Sequence, residues 1–340
     1  MPDAAPVASN GRWSTLVERA SWAPSPHNTQ PWLVHPLSER EAELYVPAER
    51  TLPYTDASGA FMTCALGIYI EALDVAAGAE GLAVEVEPLF PKLGAASEDR
   101  PLFARLRLAE RREPSRFAVE LLARRRTARG AYDGRPVDAE ALAALQSVAA
   151  TAGHEARFTS DRELVGWVVG LNADTLFFDL DDDRTRAEIG QWIRTSQAEA
   201  RRTGDGFSPA ALGFPGPLVD LFFFRHRLFG SRVMRQVVRR LFLWTTRGTA
   251  TVGWLRGPWA SPQDWFAAGR MFMRFWLELT RHGLYLQPFG SVITNPTAHA
   301  LMTEKLQVDE RGGEVWLLLR LGYCPAPPRS LRRRTAEVLI

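Results

Sequence analysis

Cysteine is almost missing from this 340-residue chain: Cys64 and Cys324 are the only two, and there is no CxxC pair. That excludes a disulfide-stapled scaffold and a cysteine-based metal ribbon. Cys64 lies in an apolar helical run and Cys324 follows an apolar strand pattern. Both are expected as reduced, buried thiols of a cytoplasmic protein, with a disulfide between them left open by sequence alone. No uncharged run reaches the length of a transmembrane helix. The nearest, Leu218 to Trp244, is interrupted by Arg225, His226, Arg227, Arg232, Arg235, Arg239 and Arg240, so no membrane span is expected. Met1 to Gly11 is Ala-, Pro- and Ser-rich without an apolar core, which reads as a frayed tail and not a signal peptide. There is no G-x-G-x-x-G after a strand, no P-loop and no G-x-S-x-G, and the six histidines show no metal-ligand spacing. A net charge of +2 provides no broad basic face, so no nucleic-acid partner is expected.

What is present is ordinary globular material, 46% hydrophobic and 24% charged, enough for two modest domains or one large one. Trp13 to Ala23 reads as a helix, and Trp32 to Pro36 and Glu43 to Val46 as strands. Ser58 to Ala77 is apolar almost all round and predicts a buried helix that Gly78 could end. Ala83 to Glu87 alternates apolar with acidic residues and Leu102 to Leu108 apolar with Arg, the pattern of an antiparallel sheet with one wet face.

A second unit begins near Pro114. Asp138 can cap a helix from Ala139 to Ala152, closed by Gly153, and Arg157 to Thr159 can form a strand. Ser160 and Glu163 have capping-box spacing for a helix through Asp174, and Thr185 to Arg202 reads as helical. Thr203 to Pro217 is dense in Gly and Pro and is expected as loop. With Leu218 to Trp244 it makes an insertion of different composition, either a lid or core-covering helix pair or a membrane-surface element. Ser261 with Pro262 opens a helix that ends at Gly283, and Glu314 to Leu321 is a strong strand before a basic tail. Helices do not alternate regularly with strands, so the expected class is α+β with antiparallel-rich sheets flanked by helices.

Two segments carry chemistry. Ala23-Pro24-Ser25-Pro26-His27-Asn28-Thr29-Gln30-Pro31-Trp32 resembles the nitroreductase-family segment A-P-S-S-x-N-x-Q-P-W. Arg125-Arg126-Thr127-Ala128-Arg129, with Tyr132 and then Pro136-Val137, resembles that family's opening R-x-S-x-R/K, aromatic, P-V. Their order is reversed relative to the ordinary family, and they lie about 100 residues apart. That arrangement is similar to the Acg-type FMN-binding proteins, which look like two nitroreductase halves fused in one chain. The resemblance implies an N-terminal half at 12–113, a C-terminal half at 114–340 with a lid-like insertion at about 203–250, and an intramolecular pseudo-dimer. It implies one FMN per chain, because each motif occurs once.

Carried over by position, Arg125 would face the phosphate, with Arg126 beside it in the cofactor site, Thr127 would donate to the ribityl-phosphate portion, and Arg129 would lie at the pyrimidine edge of the ring. Guanidinium groups match phosphate with paired hydrogen bonds, and a cation beside the ring favours its reduced anion. Pro24, Ser25 and Asn28 would meet the ring from the first half, with Pro26 replacing the family's second Ser. Gln30, Pro31 and Trp32 read as structural. His27 reads as an acid or base or as a plain loop residue. Gly283 to Ser291 resembles the family's G-L-x-x-x-P-x-G, which would place Pro288 and Gly290 at the ring's edge, with Phe289 where Glu is frequent. Arg332 and Arg333 resemble the basic C-terminal element that returns to the phosphate, or form a solvated tail. No catalytic residue is assigned. The resemblance implies an FMN-dependent oxidoreductase passing hydride from NADH or NADPH through the flavin to a small acceptor. The alternative is an FMN-sequestering protein whose lid, rich in Phe222, Phe223, Phe224, Phe229, Phe242 and Trp244, fills the substrate space. A monomer is expected in either case, with an unidentified small-molecule substrate.

Overall fold

A computed structural model describes residues 10–93, 99–224 and 232–340; of Asn10, Leu180, Phe222 and Arg232 only the backbone is described. Residues 1–9 of the expected N-terminal tail, and Arg225, His226, Arg227 and Phe229 of the lid-like insertion, lie outside the described residues, while Asn10 and Gly11, expected as tail, open the first helix.

The first sheet is built by α1 (Asn10–Ala20), β1 (Leu33–Pro36), β2 (Glu41–Tyr45), α2 (Ala60–Gly78), β3 (Leu82–Pro88) and β4 (Leu102–Glu110). Its four strands are antiparallel in the order β1-β2-β4-β3. After α3 (Glu120–Arg124), a similar run follows: α4 (Ala139–Ala150), then β5 (Glu155–Thr159). Six helices are then interposed: α5 (Arg162–Asp181), α6 (Asp183–Gln191), α7 (Gln197–Thr203), α8 (Pro209–Leu212), α9 (Gly216–Phe224) and α10 (Arg232–Thr245). The run resumes with β6 (Thr251–Gly257), α11 (Pro262–Arg281) and β7 (Tyr285–Pro288); α12 (Gly290–Thr294) and α13 (Pro296–Lys305) precede β8 (Glu314–Gly322), and α14 (Thr335–Val338) ends the chain. The second sheet is again antiparallel, in the order β5-β6-β8-β7. Both sheets carry a register shift at the matching place, after Leu44 in β2 and after Leu255 in β6. The residues that bulge out opposite them, Phe103 and Trp316, are both buried aromatics. The class is α+β, as expected.

The two middle helices, α2 and α11, pack on each other. Only Phe61, Asp74 and Gly78 of α2 escape burial, so this helix, although long and apolar enough to cross a membrane, is core. Glu71, 3% exposed, accepts from Arg270 (2.8 Å) and Arg274 (2.5 Å) across the helix pair. The capping box at Ser261 and Asp264 is present, Pro262 is the first helical residue, and Gly283 follows the end of α11 with φ +71°.

The first sheet has a wet face on which Arg105 and Arg107 meet Glu87 and Glu85. The second sheet is covered on both faces. A smaller core of Val165, Val168 and Val169 of α5, with Phe289, Val292 and Met302, closes over Val252, Trp254 and Leu318. Helix α5, with α12 and α13, therefore turns an alternating surface into an interior one, and β8 is buried from Val315 to Gly322.

Several local expectations are corrected. Asp161, not Ser160, caps α5, its carboxylate accepting from Leu164 N at 2.8 Å, and the helix runs on to Asp181. Asp138 precedes α4 but does not cap it; its carboxylate accepts the Tyr323 hydroxyl at 2.6 Å. Thr185 to Arg202 breaks in two, because Ser196 starts a fresh helix by accepting from Glu199 N. The expected loop 203–217 holds the short α8 and the start of α9. Strands β6 and β7 carry too few β-formers to stand out in sequence, with glycines in one and Pro288 in the other. Cys64 is buried, Cys324 is half-buried, and both are free thiols.

Candidate functional site: a buried cluster of arginines between the sheets

Residues 24–30 turn sharply after α1. His27 (φ 49°), Asn28 (φ 57°) and Gln30 (φ 51°) are all left-handed. Such conformations cost non-glycine residues about 1–3 kcal/mol each and persist only where surroundings enforce them. Here Ser25 Oγ accepts from Gln30 N at 2.9 Å. Asn28 Nδ2 donates to Gly206 O (3.2 Å) and Leu331 O (3.1 Å), while its Oδ1 accepts from Arg332 Nη1 (2.9 Å). Gln30 Nε2 donates to Gly204 O at 2.9 Å, and Gln30 Oε1 accepts from Arg333 N at 3.0 Å. The loop is thus clamped between the inserted segment and the C-terminal tail.

The second motif arrives from the other side. Ala128 N donates to Leu286 O at 3.0 Å and Thr127 bridges Leu286 in parallel, so residues 127–128 lie along the free edge of β7. Pro288 and Gly290 follow at the end of that strand. Arg125 is 4% exposed; its Nη2 donates to Trp22 O at 2.9 Å and its guanidinium lies 4.4 Å from the Trp276 ring centre. Its Nε and Nη1 are buried with no partner. Arg126 turns away, giving Nη1 to Pro327 O at 2.6 Å, and with Arg124 lines a separate cleft of about 230 Å³ at the end of α11. Arg129 stacks over Phe207 at 4.7 Å. His27 lies 5.5 Å from the same ring, so Phe207 bridges the two motifs.

Arg320 of β8 completes the cluster at 0% exposure. It donates to Ala128 O (3.0 Å) and Gly130 O (2.8 Å), to Thr249 Oγ1 (3.1 Å), and to Gln287 Oε1 (2.8 Å). On the first sheet the matching cross-strand pair is Arg107 and Glu85. Where that arginine has a carboxylate, Arg320 has a neutral amide. Nothing singled it out in the sequence, though an arginine inside the otherwise apolar Val315 to Leu321 is the signal that could have done so.

Arg332 gives its guanidinium to Ser21, Trp22 and Ala23 carbonyls, capping α1 from outside. Arg333 donates to the Gln30 and Trp32 carbonyls and to Glu337 O. Ser25, Arg332 and Arg333 are therefore engaged in holding the loop.

Electrostatically the cluster is lopsided. Among the described residues, Arg125, Arg129, Arg320 and Arg332 make no ion pair, whereas the buried Arg194 elsewhere is matched by Asp205 at 2.6 Å. Burial, with Arg320 beside it, pushes Arg129 down to about 10; burial alone does the same to Arg332. Burial and the neighbouring Arg332 lower Arg125 as well. Burial and then Arg129 push His27 down to about 4, so its imidazole is neutral near pH 7, with Nδ1 buried and unpartnered. Arg125 and Arg320 are buried, while Arg129 and Arg332 are half-buried; a buried cation without a counter-charge costs several kcal/mol in general, so the arrangement suits an anion. Among the described residues no group of His, Cys, Asp and Glu is placed to hold a metal.

No family model and no curated relative matches the chain. Among solved structures it is similar to nitroreductases. One is an FMN-bound nitroreductase of Bacteroides fragilis, at 15% identity over 61% of this chain and 88% of that one, with TM-score 0.37. A second is an FMN- and NADPH-dependent nitroreductase of sphigopyxis sp. strain HMH, at 17% identity over 62% and 93%, with TM-score 0.34. A third is an FMN-dependent nitroreductase of Mycobacterium smegmatis in complex with NADPH, at 16% identity over 60% and 86%, with TM-score 0.33. TM-scores this low carry no weight for function; the residues of the cluster do.

Proposed function

We propose that residues 12–113 and 114–340 form two nitroreductase-like halves paired within one chain, and that a single FMN is held between them. The matching strand orders and the matching bulges support the pairing. The observation that carries the cofactor is the unpaired arginine cluster, above all the two buried, partnerless nitrogens of Arg125. A phosphate dianion would satisfy both and offset the charge of its neighbours. Arg125 would hold the phosphate. Arg320 would fix the 128–130 backbone, and Arg129 would supply a cation at the edge of the flavin. Pro24, Asn28, Pro288 and Gly290 would frame the ring, with Thr127 beside the ribityl chain.

FMN, once bound, transfers hydride between a nicotinamide and an acceptor. The chain's own contribution is to orient the ring, exclude water and place a cation beside it. On this reading the protein is an FMN-dependent oxidoreductase that takes hydride from NADH or NADPH and passes it to a small acceptor. The contact of Phe207 with both Arg129 and His27 favours a second reading, in which the inserted segment covers a sequestered flavin and turnover is slight.

The purified protein tests both. About one flavin per chain is expected from the visible spectrum, with anaerobic bleaching by NADH or NADPH. Tight flavin that yields to dithionite but to neither nicotinamide selects sequestration. A colourless protein that cannot be loaded with FMN overturns the cofactor assignment.

A further inference from the structure

The outer face of α10 is apolar, and among the described residues it is left exposed. Val233 is 74% exposed, Val237 52%, Leu241 42% and Trp244 60%. Their spacing of four, four and three residues puts them on one side of the helix, a stripe about 16 Å long at the usual helical rise. The helix is seated by its other side. Arg235 gives both terminal nitrogens to the Asp181 carboxylate (2.7 and 2.8 Å), and Arg239 grips Asp174 (2.5 and 3.1 Å), both on α5. The stripe is therefore presented outward by a fixed helix.

Its border is cationic. Arg240 is exposed beside the stripe, and Arg247, also exposed, lies 4.0 Å from the Trp244 ring centre just past the helix end. The sequence of α10, RVMRQVVRRLFLWT, contains no carboxylate. We propose that this face docks on a lipid bilayer rich in anionic headgroups, with Val233, Val237, Leu241 and Trp244 entering the interface and Arg240 and Arg247 at the phosphate level. Apolar residues with an edge tryptophan, rimmed by arginine and free of acid, match such a surface in both polarity and charge. A second copy of the chain matches it badly. An isologous pairing of the stripe would bring Arg240 and Arg247 against their own counterparts, with no acid on the helix to meet them. The inference does not depend on the flavin.

The test is flotation of the full-length protein with vesicles of phosphatidylcholine alone and of equimolar phosphatidylcholine and phosphatidylglycerol. Binding is expected to the anionic vesicles only and to weaken with salt. The V237E/L241E variant is expected to lose at least about tenfold in partitioning, and R240A/R247A about fivefold per arginine. All four side chains are exposed, and circular dichroism checks that the variants keep their fold. Failure of the wild type to float with anionic vesicles overturns the proposal. So does V237E/L241E floating as well as wild type, which would place the contact elsewhere. A concentration-dependent dimer that V237E/L241E abolishes, without vesicle binding, would make the occupant a second copy and also overturn it.

Discussion

Gly67 and Gly269 occupy reciprocal places where α2 and α11 cross. A methyl group on Gly67 would lie 2.3 Å from the carbonyl oxygen of Phe266, three residues before Gly269. A methyl group on Gly269 would lie 2.0 Å from the carbonyl oxygen of Cys64, three residues before Gly67. Each helix is thus notched for the backbone of the other, and the two backbones can approach this closely only where neither carries a side chain.

Alanine at either notch is expected to force the helices apart. Overpacking of this kind costs about 1–3 kcal/mol, so Gly67→Ala and Gly269→Ala should each lower the midpoint of thermal or urea unfolding. Gly166 in α5 is the internal control. It has open space around its Cβ position, and Gly166→Ala should instead stabilise by up to about 1 kcal/mol through helix propensity. Equal behaviour of all three variants would deny the crossing a special role.

Arg125→Met separates cofactor binding from folding. Replacing a buried, unpaired cation by an apolar chain of similar length is expected to leave the apoprotein as stable as wild type or more so. FMN affinity should fall by at least tenfold, because a charge-assisted contact is worth about 1.5–3 kcal/mol. Melting curves with and without added FMN read both quantities. Loss of apoprotein stability with unchanged FMN affinity would make Arg125 structural.

Phe207→Ala removes the ring that shares its faces with Arg129 and His27. If the inserted segment restricts access, the variant should be bleached by nicotinamide faster than wild type while keeping its flavin. An unchanged rate would show that access is not set at Phe207.

Asp56 lies 5% exposed before α2, accepting from Phe61 N (3.1 Å) and Met62 N (2.7 Å). Burial raises it to about 7. Between about pH 4 and 7 the folded chain therefore keeps a proton that the unfolded chain has released. Asp56 should make stability fall as pH rises, by up to about 1.4 kcal/mol per pH unit. His27, held down to about 4, acts oppositely between about pH 4 and 6.5. The informative quantity is thus the difference between wild type and Asp56→Asn, which should shrink towards pH 4 and change steadily up to pH 7. A difference independent of pH would place the Asp56 carboxyl in contact with water.

Much of the scaffold was legible in local pattern. The all-round apolar run of α2 could only be a buried helix, and Ser261-Pro262 opened α11 as its capping chemistry requires. The alternation of Leu102 to Leu108 showed a strand with one wet face. Helix starts were less legible where acceptors compete: Asp138 was taken by Tyr323, and Asp161 won the start of α5 from Ser160. The motif residues Asn28, Arg125 and Arg129 stood out by type and spacing. Their convergence did not, because it depends on contacts across well over a hundred residues, such as Asn28 with Gly206 and Leu331.

Sequence alone determined which segments become core helices and half-wet strands, since periodicity and capping act within a few residues. Only the tertiary structure decided which arginines are buried without a counter-charge. Arg107 and Arg320 sit at matching strand positions, yet one is wet beside Glu85 and the other sealed beside Gln287. The difference is what packs over it: the 128–132 segment and the turn at Thr246 to Thr249 close on Arg320, and nothing comparable among the described residues covers Arg107. Desolvation, which sets the cost of a charge, belongs to whatever packs above the residue and not to the residue itself.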